Sequence, residues 1–354
     1  MTILDSAQEI NKIDKGNILG SIVKLPYQVD QAWHEVEKLD IPEDYSKAKV
    51  IVLSGMGGSA LGGRIADCLT PDKTVPMEVF TEFNLPKYVD KNTLVIASSY
   101  SGNTAETLSA TEEAIEKEAK IIGICTGGKL EKILKEHKLP VYVIRPWANP
   151  SGQPRMGLGY SISSILTILS RLKFTRMAEE EMLSVVRAMG EAVSDFGADV
   201  PSERNLAKSL ALKLKGKIPV LIASEHLVGS SHAFKNQLNE NSKTFSALFD
   251  IPELNHHLME GLRNPALAKE FLHFVFIESE LYSRKILARY KLTQEVVEKN
   301  DISTDIYKLR TETKLQQTFE LLVLGSYISL YLAILYGIDP APIPWVDYFK
   351  SKLK

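Results

Sequence analysis

Residues 95–108 read VIASSYSGNTAETL. An apolar strand runs into a turn crowded with hydroxyls, and the turn opens a helix-forming stretch. Ser98, Ser99, Ser101 and Thr104 put four hydroxyls other than tyrosine's within seven residues, with no lysine or arginine among them. A helix N-terminus carries unsatisfied backbone N–H groups and about half a positive charge, so an anion docks there without a basic side chain. Hydroxyls add rotatable donors, and Gly102 lets the backbone approach closely and take an unusual φ. The turn therefore suits something small and multiply anionic, such as a phosphate monoester. The plainer reading is that Ser101 or Thr104 only caps the helix.

The same strand–turn–helix plan continues on both sides. KVIVLSG, MEVFTE, TLVIASS, KIIGICT and VYVIRP read as strands, with SALGGRIADCL, NTAETLSATEEAIEKEA and KLEKILKEH as helices between them. Parallel neighbours need a crossover of this size, so the alternation implies a mainly parallel sheet. A turn-rich stretch, RPWANPSGQPRMGLGY, follows, then helical segments at about 158–173 and 178–197. A second series then begins with KIPVLIAS, TFSALFDIPE and FLHFVFIESE as strands. HLVGSSHAFKNQLNENS and SRKILARYKLTQEVVEKN read as its helices, and an apolar helix at 314–337 and a terminal helix close the chain. The fold class is α/β, with two subdomains, each a mainly parallel sheet flanked by helices. The boundaries read as 1–155, including the preceding helices, and 156–354.

At 354 residues the chain is too long for one typical core, and two domains are the default. A hydrophobic content of 44% with 24% charged residues is ordinary for a globular protein. A net charge of −2 supplies no field toward nucleic acid or membrane. Two cysteines, Cys68 and Cys125, both in apolar runs, read as buried reduced thiols of a cytoplasmic protein. The N-terminus lacks a basic-then-apolar signal pattern. LLVLGSYISLYLAILYG, residues 321–337, is uncharged but reads as a buried core helix rather than a membrane span.

A second glycine-rich turn, LSGMGGSALGG at 53–63, shifts the balance between binding and capping. It is not a Walker loop, since no GK[ST] follows the glycines, and it is a poor dinucleotide fingerprint. In an open parallel sheet both turns lie at the carboxyl edge, where ligands collect. GMGGSALGG followed by SSYSGNTAETL resembles the sugar isomerase (SIS) domain. With SGQPRMGLGY, KNQLNEN, ELNHH and DPAPIPWVDYFKSKL in this order, nearly the whole chain resembles the bifunctional phosphoglucose/phosphomannose isomerases. That resemblance implies two SIS subdomains, a homodimer and no metal.

Aldose–ketose isomerisation of a phosphorylated hexose needs a phosphate anchor, ring opening, a proton carried between C1 and C2, and stabilisation of the enediolate. No redox cofactor is required. The resemblance assigns Ser99, Ser101 and Thr104 to the phosphate, and Gly57, Gly58 and Ser59 to the neighbouring sugar site. It makes Glu240 in NQLNENS the proton-transfer base, for which partial burial would raise the carboxyl pKa. Arg155 becomes the fixed cation beside the enediolate. His256, directly after ELN and donated by the neighbouring subunit, opens the ring together with Lys350. His256 and Glu260 also share helical metal-ligand spacing, but no third ligand accompanies them. Where the family's DP-x-P stretch carries a hydroxyl residue this chain has Ala341, which ranks glucose 6-phosphate above mannose 6-phosphate. The alternatives are a non-catalytic SIS regulator that senses a phosphosugar, or an isomerase of another phosphosugar.

Overall fold

The computed structural model describes residues 2–353. The chain forms two compact units, Lys24–Arg187 and Met1–Val23 with Ala188–Lys354. The division lies beyond the expected boundary at 155/156, and packing explains the difference. The helix Leu158–Arg171, buried from Leu158 through Leu169, packs on the helices Leu25–Val36 and Gly58–Leu69, so it stays with the first sheet. The first residues join the other unit. There Asp5 Oδ1 accepts from the Ser202 amide (2.8 Å) and hydroxyl (2.6 Å), and the helix Ile18–Val23 packs on the helix Lys314–Leu335.

In Lys24–Arg187 the strands are β1 (Val50–Gly55), β2 (Met77–Phe80), β3 (Thr93–Ser99), β4 (Lys120–Cys125) and β5 (Val141–Val143). They are all parallel, in the order β2-β1-β3-β4-β5. All seven residues of β3 are buried, as a central strand covered on both faces requires. The chain leaves β1 toward β2 on one side and reaches β3 on the other, so a crevice opens at the carboxyl ends of β1 and β3.

In the other unit the strands are β6 (Ile218–Ala223), β7 (Ala247–Asp250), β8 (Leu272–Glu278) and β9 (Ser303–Lys308). They are also parallel, in the order β7-β6-β8-β9, which repeats the first sheet's plan without its fifth strand. The strand β9 and the helix Leu206–Leu214 add to the elements read from the sequence.

The helix Lys314–Leu335 has the length and composition of a membrane span, yet 94% of its apolar window is buried within the protein. Residues Gln317–Ile334 are buried without a break, so the helix is apolar all round because it has no solvent face. A capping box starts it: Thr313 Oγ1 accepts from the Gln316 amide and Gln316 Oε1 from the Thr313 amide, both at 3.1 Å. The helix Val228–Glu240 lies on it. Gln237 Nε2 donates to Ser326 Oγ (2.9 Å) and Asn241 Nδ2 to Ser329 Oγ (3.0 Å), which fixes the C-terminal end that carries Glu240. Neither cysteine is in a disulfide; Cys125 is buried, and burial pushes its thiol pKa up, but Cys68 is only half-buried, short of the burial expected.

Candidate active site

Both glycine- and serine-rich turns stand at the β1/β3 crevice. Gly57 takes φ 51° at the start of the helix Gly58–Leu69. At Gly58 an added Cβ would come within 3.1 Å of the Pro154 carbonyl and 3.4 Å of the Arg155 amide, so the Arg155 segment presses on this turn. Ser59, nearly buried, accepts the Tyr100 amide on its hydroxyl at 3.0 Å and thereby ties the two turns together.

The side chain at the N-cap of the hydroxyl turn is not spent on capping. Thr104 is the N-cap of the helix Ala105–Glu116, yet its side chain makes no capping bond. Its hydroxyl instead accepts from Ser99 Oγ at 2.8 Å. The first-turn amides, which have no partner within the helix, are left uncapped at an end that favours negative charge. Ser99 is buried and supports the turn from beneath, whereas Ser101 is exposed and Thr104 half-buried. Ser101 Oγ accepts the Asn103 amide at 3.2 Å. Gly102 takes φ 65°, and its Cα faces the Gly127 carbonyl so closely that an added Cβ would lie 1.7 Å from that oxygen. The turn is thus braced against the turn after β4. There the Thr126 amide and hydroxyl both donate to the Tyr100 carbonyl, at 2.9 and 2.7 Å.

Arg155 is 2% exposed, on the short 3-10 turn Pro154–Met156. It lies inside the unit Lys24–Arg187 rather than in a linker, and it is not a surface arginine. Its Nη1 donates to Gln153 Oε1 at 2.8 Å. The loop is joined to the hydroxyl turn by Asn149, whose Nδ2 donates to Tyr100 Oη at 2.8 Å. Burial raises the Tyr100 pKa, and the Asn149 bond pulls the other way without reversing it. Residue types alone do not single out Tyr100, Asn149 or Gln153, although Tyr100 stands within the hydroxyl turn itself.

Glu240, His256 and Lys350 lie on three elements of the other unit. Glu240 is half-buried at the last position of the helix Val228–Glu240. Lys243, at φ 54°, turns back so that its Nζ donates to the carbonyls of Glu240 (2.7 Å), Asn241 (3.2 Å) and Pro340 (3.0 Å). This puts a cation on the helix C-terminus and ties it to the segment before Ala341, itself buried. His256 ends the 3-10 turn Glu253–His256 and is exposed. Asn255 Nδ2 anchors that turn to Thr293 Oγ1 at 2.7 Å, while the adjacent His257 is engaged by Glu253 at 2.6 Å. His256 and Glu260 fall in separate 3-10 turns rather than on one helix, which removes the expected ligand spacing. Among the described residues no group of three or more His, Cys, Asp and Glu is arranged to hold a metal ion. Lys350 is exposed on the terminal helix Pro344–Lys352.

Residues 203–353 match the model of the bacterial phospho-glucose isomerase C-terminal SIS domain. A bifunctional phosphoglucose/phosphomannose isomerase of Caldicellulosiruptor bescii is 36% identical over 94% of this chain and 98% of its own. One from Aquifex aeolicus is 30% identical over 92% of this chain and 97% of its own. Among solved structures, a hypothetical protein from Thermus thermophilus superposes with a TM-score of 0.75 at 16% identity, covering 98% of this chain and 93% of that one, which shows a shared fold.

Proposed function

Because the chain belongs to the bifunctional phosphoglucose/phosphomannose isomerase family, we propose that its hydroxyl turn binds the 6-phosphate of a hexose and that Glu240 moves the proton between C1 and C2. The protein is a phosphosugar isomerase that interconverts glucose 6-phosphate and mannose 6-phosphate with fructose 6-phosphate. The observation that carries the docking reading is the uncapped helix N-terminus at Thr104, whose hydroxyl faces Ser99 instead of the helix amides. With Ser99 donating to Thr104, the Thr104 and Ser101 protons and the first-turn amides are left for phosphate oxygens. Gly57, Gly58 and Ser59 border the sugar.

The chemistry is then a proton relay on one bound sugar. His256 and Lys350 assist pyranose opening by giving and taking protons at the ring oxygen and the C1 hydroxyl. Glu240 removes the C2 proton of the aldose and returns it to C1 through a cis-enediol. Arg155, a permanent charge, stabilises the developing oxyanion. The exposure of His256, beside a His257 already engaged, supports its donation to a neighbouring subunit, so the working unit is a homodimer in the cytoplasm. The isomerisation needs no metal or redox cofactor, and glucose 6-phosphate is preferred over mannose 6-phosphate because Ala341 offers no hydroxyl.

A coupled assay tests this. Fructose 6-phosphate is supplied with and without EDTA, and both aldoses are measured. Activity should survive EDTA with glucose 6-phosphate the faster product, and Glu240→Gln should abolish turnover while retaining fructose 6-phosphate binding. Wild-type turnover in Glu240→Gln would remove that residue from the mechanism.

A further inference from the structure

We propose that Gln28 is a positioning residue for Arg155, holding the loop that carries the arginine at both of its ends. The inference rests on the reading of Arg155 as the cation beside the enediolate. Gln28 stands on the helix Leu25–Val36 and is fully buried. Its Nε2 donates one proton to the Ala148 carbonyl at 3.0 Å and the other to the Met156 carbonyl at 2.9 Å. Those two carbonyls bracket the loop 148–156, which has Arg155 next to its last residue.

The amide orientation is forced, because a flipped amide would set Oε1 against two carbonyl oxygens. Gln28 Oε1 is itself buried without a hydrogen-bond partner among the described residues. An unsatisfied buried acceptor is a cost that an apolar side chain of the same size would avoid. The pair of donated bonds is therefore what this position supplies. The helix carrying Gln28 also packs closely on the helix Leu158–Arg171 that follows the loop: at Gly159 an added Cβ would lie 2.7 Å from Gln28 Cβ.

Within the bracket the loop is cross-braced. Asn149 Nδ2 donates to the Gln153 carbonyl at 3.0 Å as well as to Tyr100 Oη. Ser151 Oγ donates to Asn149 Oδ1 at 2.9 Å. Gln153 Oε1 then accepts from Arg155 Nη1. Gln28 fixes the loop's ends and Tyr100, through Asn149, ties its first turn to the hydroxyl turn, so the guanidinium is held in register with the phosphate anchor. An arginine aimed at developing charge acts only where it is aimed in advance.

The test is a double-mutant cycle on the whole protein with Gln28→Met, which keeps the length of the side chain and removes both donors, and Arg155→Lys. For each variant kcat and KM for fructose 6-phosphate and the unfolding temperature are measured. Gln28→Met should lower kcat by about 10- to 100-fold with KM little changed, because the hydroxyl turn is untouched. The double variant should turn over no more slowly than Arg155→Lys alone. Unchanged kcat in Gln28→Met, or a loss that adds in full to that of Arg155→Lys, would overturn the inference while leaving the role of Arg155 standing. Wild-type kcat in Arg155→Lys would overturn both. If Gln28→Met does not accumulate folded, Gln28→Leu carries the same test, since it also removes both donors and fills the site with an apolar side chain.

Discussion

Replacing Gly102 by alanine isolates the geometry of the phosphate anchor. The residue sits at φ 65°, where an L side chain costs roughly 1–2 kcal/mol. The added Cβ would also lie 1.7 Å from the Gly127 carbonyl oxygen, and real Cβ contacts stay beyond 3.0 Å. Both partners are backbone, so the two turns must part by more than an ångström. They are joined by the bonds from Thr126 to the Tyr100 carbonyl and from the Leu130 amide to the Gly102 carbonyl at 2.9 Å. Losing two of these costs about 1–3 kcal/mol more, which makes roughly 3 kcal/mol in all. Gly57→Ala is the control: its φ is 51° but nothing lies within 4 Å of the new Cβ, so only the strain applies. Calorimetric titration with fructose 6-phosphate, alongside thermal unfolding, reads both effects. Gly102→Ala should weaken binding by about 100-fold and melt earlier than Gly57→Ala. Unchanged affinity in Gly102→Ala would refute the view that this turn's backbone grips the phosphate.

Gly325→Leu should destabilise the protein by about 1–3 kcal/mol, read as a fall in unfolding temperature, because even a Cβ there would meet the Phe234 ring at 2.7 Å. The clash lies under the helix that ends in Glu240, so turnover should fall further than the loss of stability alone accounts for. Stability should also decline in mild acid. Burial lowers the pKa values of His226 and His273 below the ordinary 6.5, outweighing for His273 the attraction of Asp305 at 2.9 Å. The folded state then binds fewer protons than the unfolded one. Their contribution is fully present above 6.5 and is lost as pH falls through the lowered values. Unfolding temperatures across pH 5 to 8 (a range of about three units) should show this decline, and His226→Gln with His273→Gln should flatten it.

The central strands were legible because they are continuous apolar runs between turn residues, as in VIASS. β9 escaped because STDIYK is polar and lies at a sheet edge, where most of its side chains meet solvent or are only half-covered. The helix LAKSLALKL was overlooked although Asn205 caps it, accepting the Lys208 amide at 3.1 Å. The hydroxyl turn was readable from residue types alone as a candidate anion site. Whether Thr104 capped its helix was not, because that depends on which way one hydroxyl points. Arg155 shows the same limit. A glycine- and proline-rich neighbourhood reads as a surface loop, and only the fold reveals that the arginine is 2% exposed and bonded to Gln153.

Two sheets of one plan need not make two binding sites, and the difference lies in what fills each crevice. At the β6/β8 edge the Ser224 amide donates to Tyr282 Oη at 3.2 Å, and the Tyr282 ring packs edge-on against His226 at 5.5 Å. Gln317 Oε1 accepts from both His226 Nε2 (3.0 Å) and Ser279 Oγ (2.5 Å). At the head of the helix Arg284–Lys299 the Ser283 amide donates to Glu225 at 3.1 Å, so a carboxylate of the protein already occupies the place an anion would take. At the β1/β3 edge the capping threonine leaves its helix amides unbonded, and the nearest buried hydroxyl, Ser99, supports the threonine instead. The same strand order therefore leaves a helix N-terminus without a side-chain cap in one unit and sets a carboxylate of the protein at the corresponding helix start in the other. In the second unit the helix that ends in Glu240 is instead held in place by Gln237, Asn241 and Lys243.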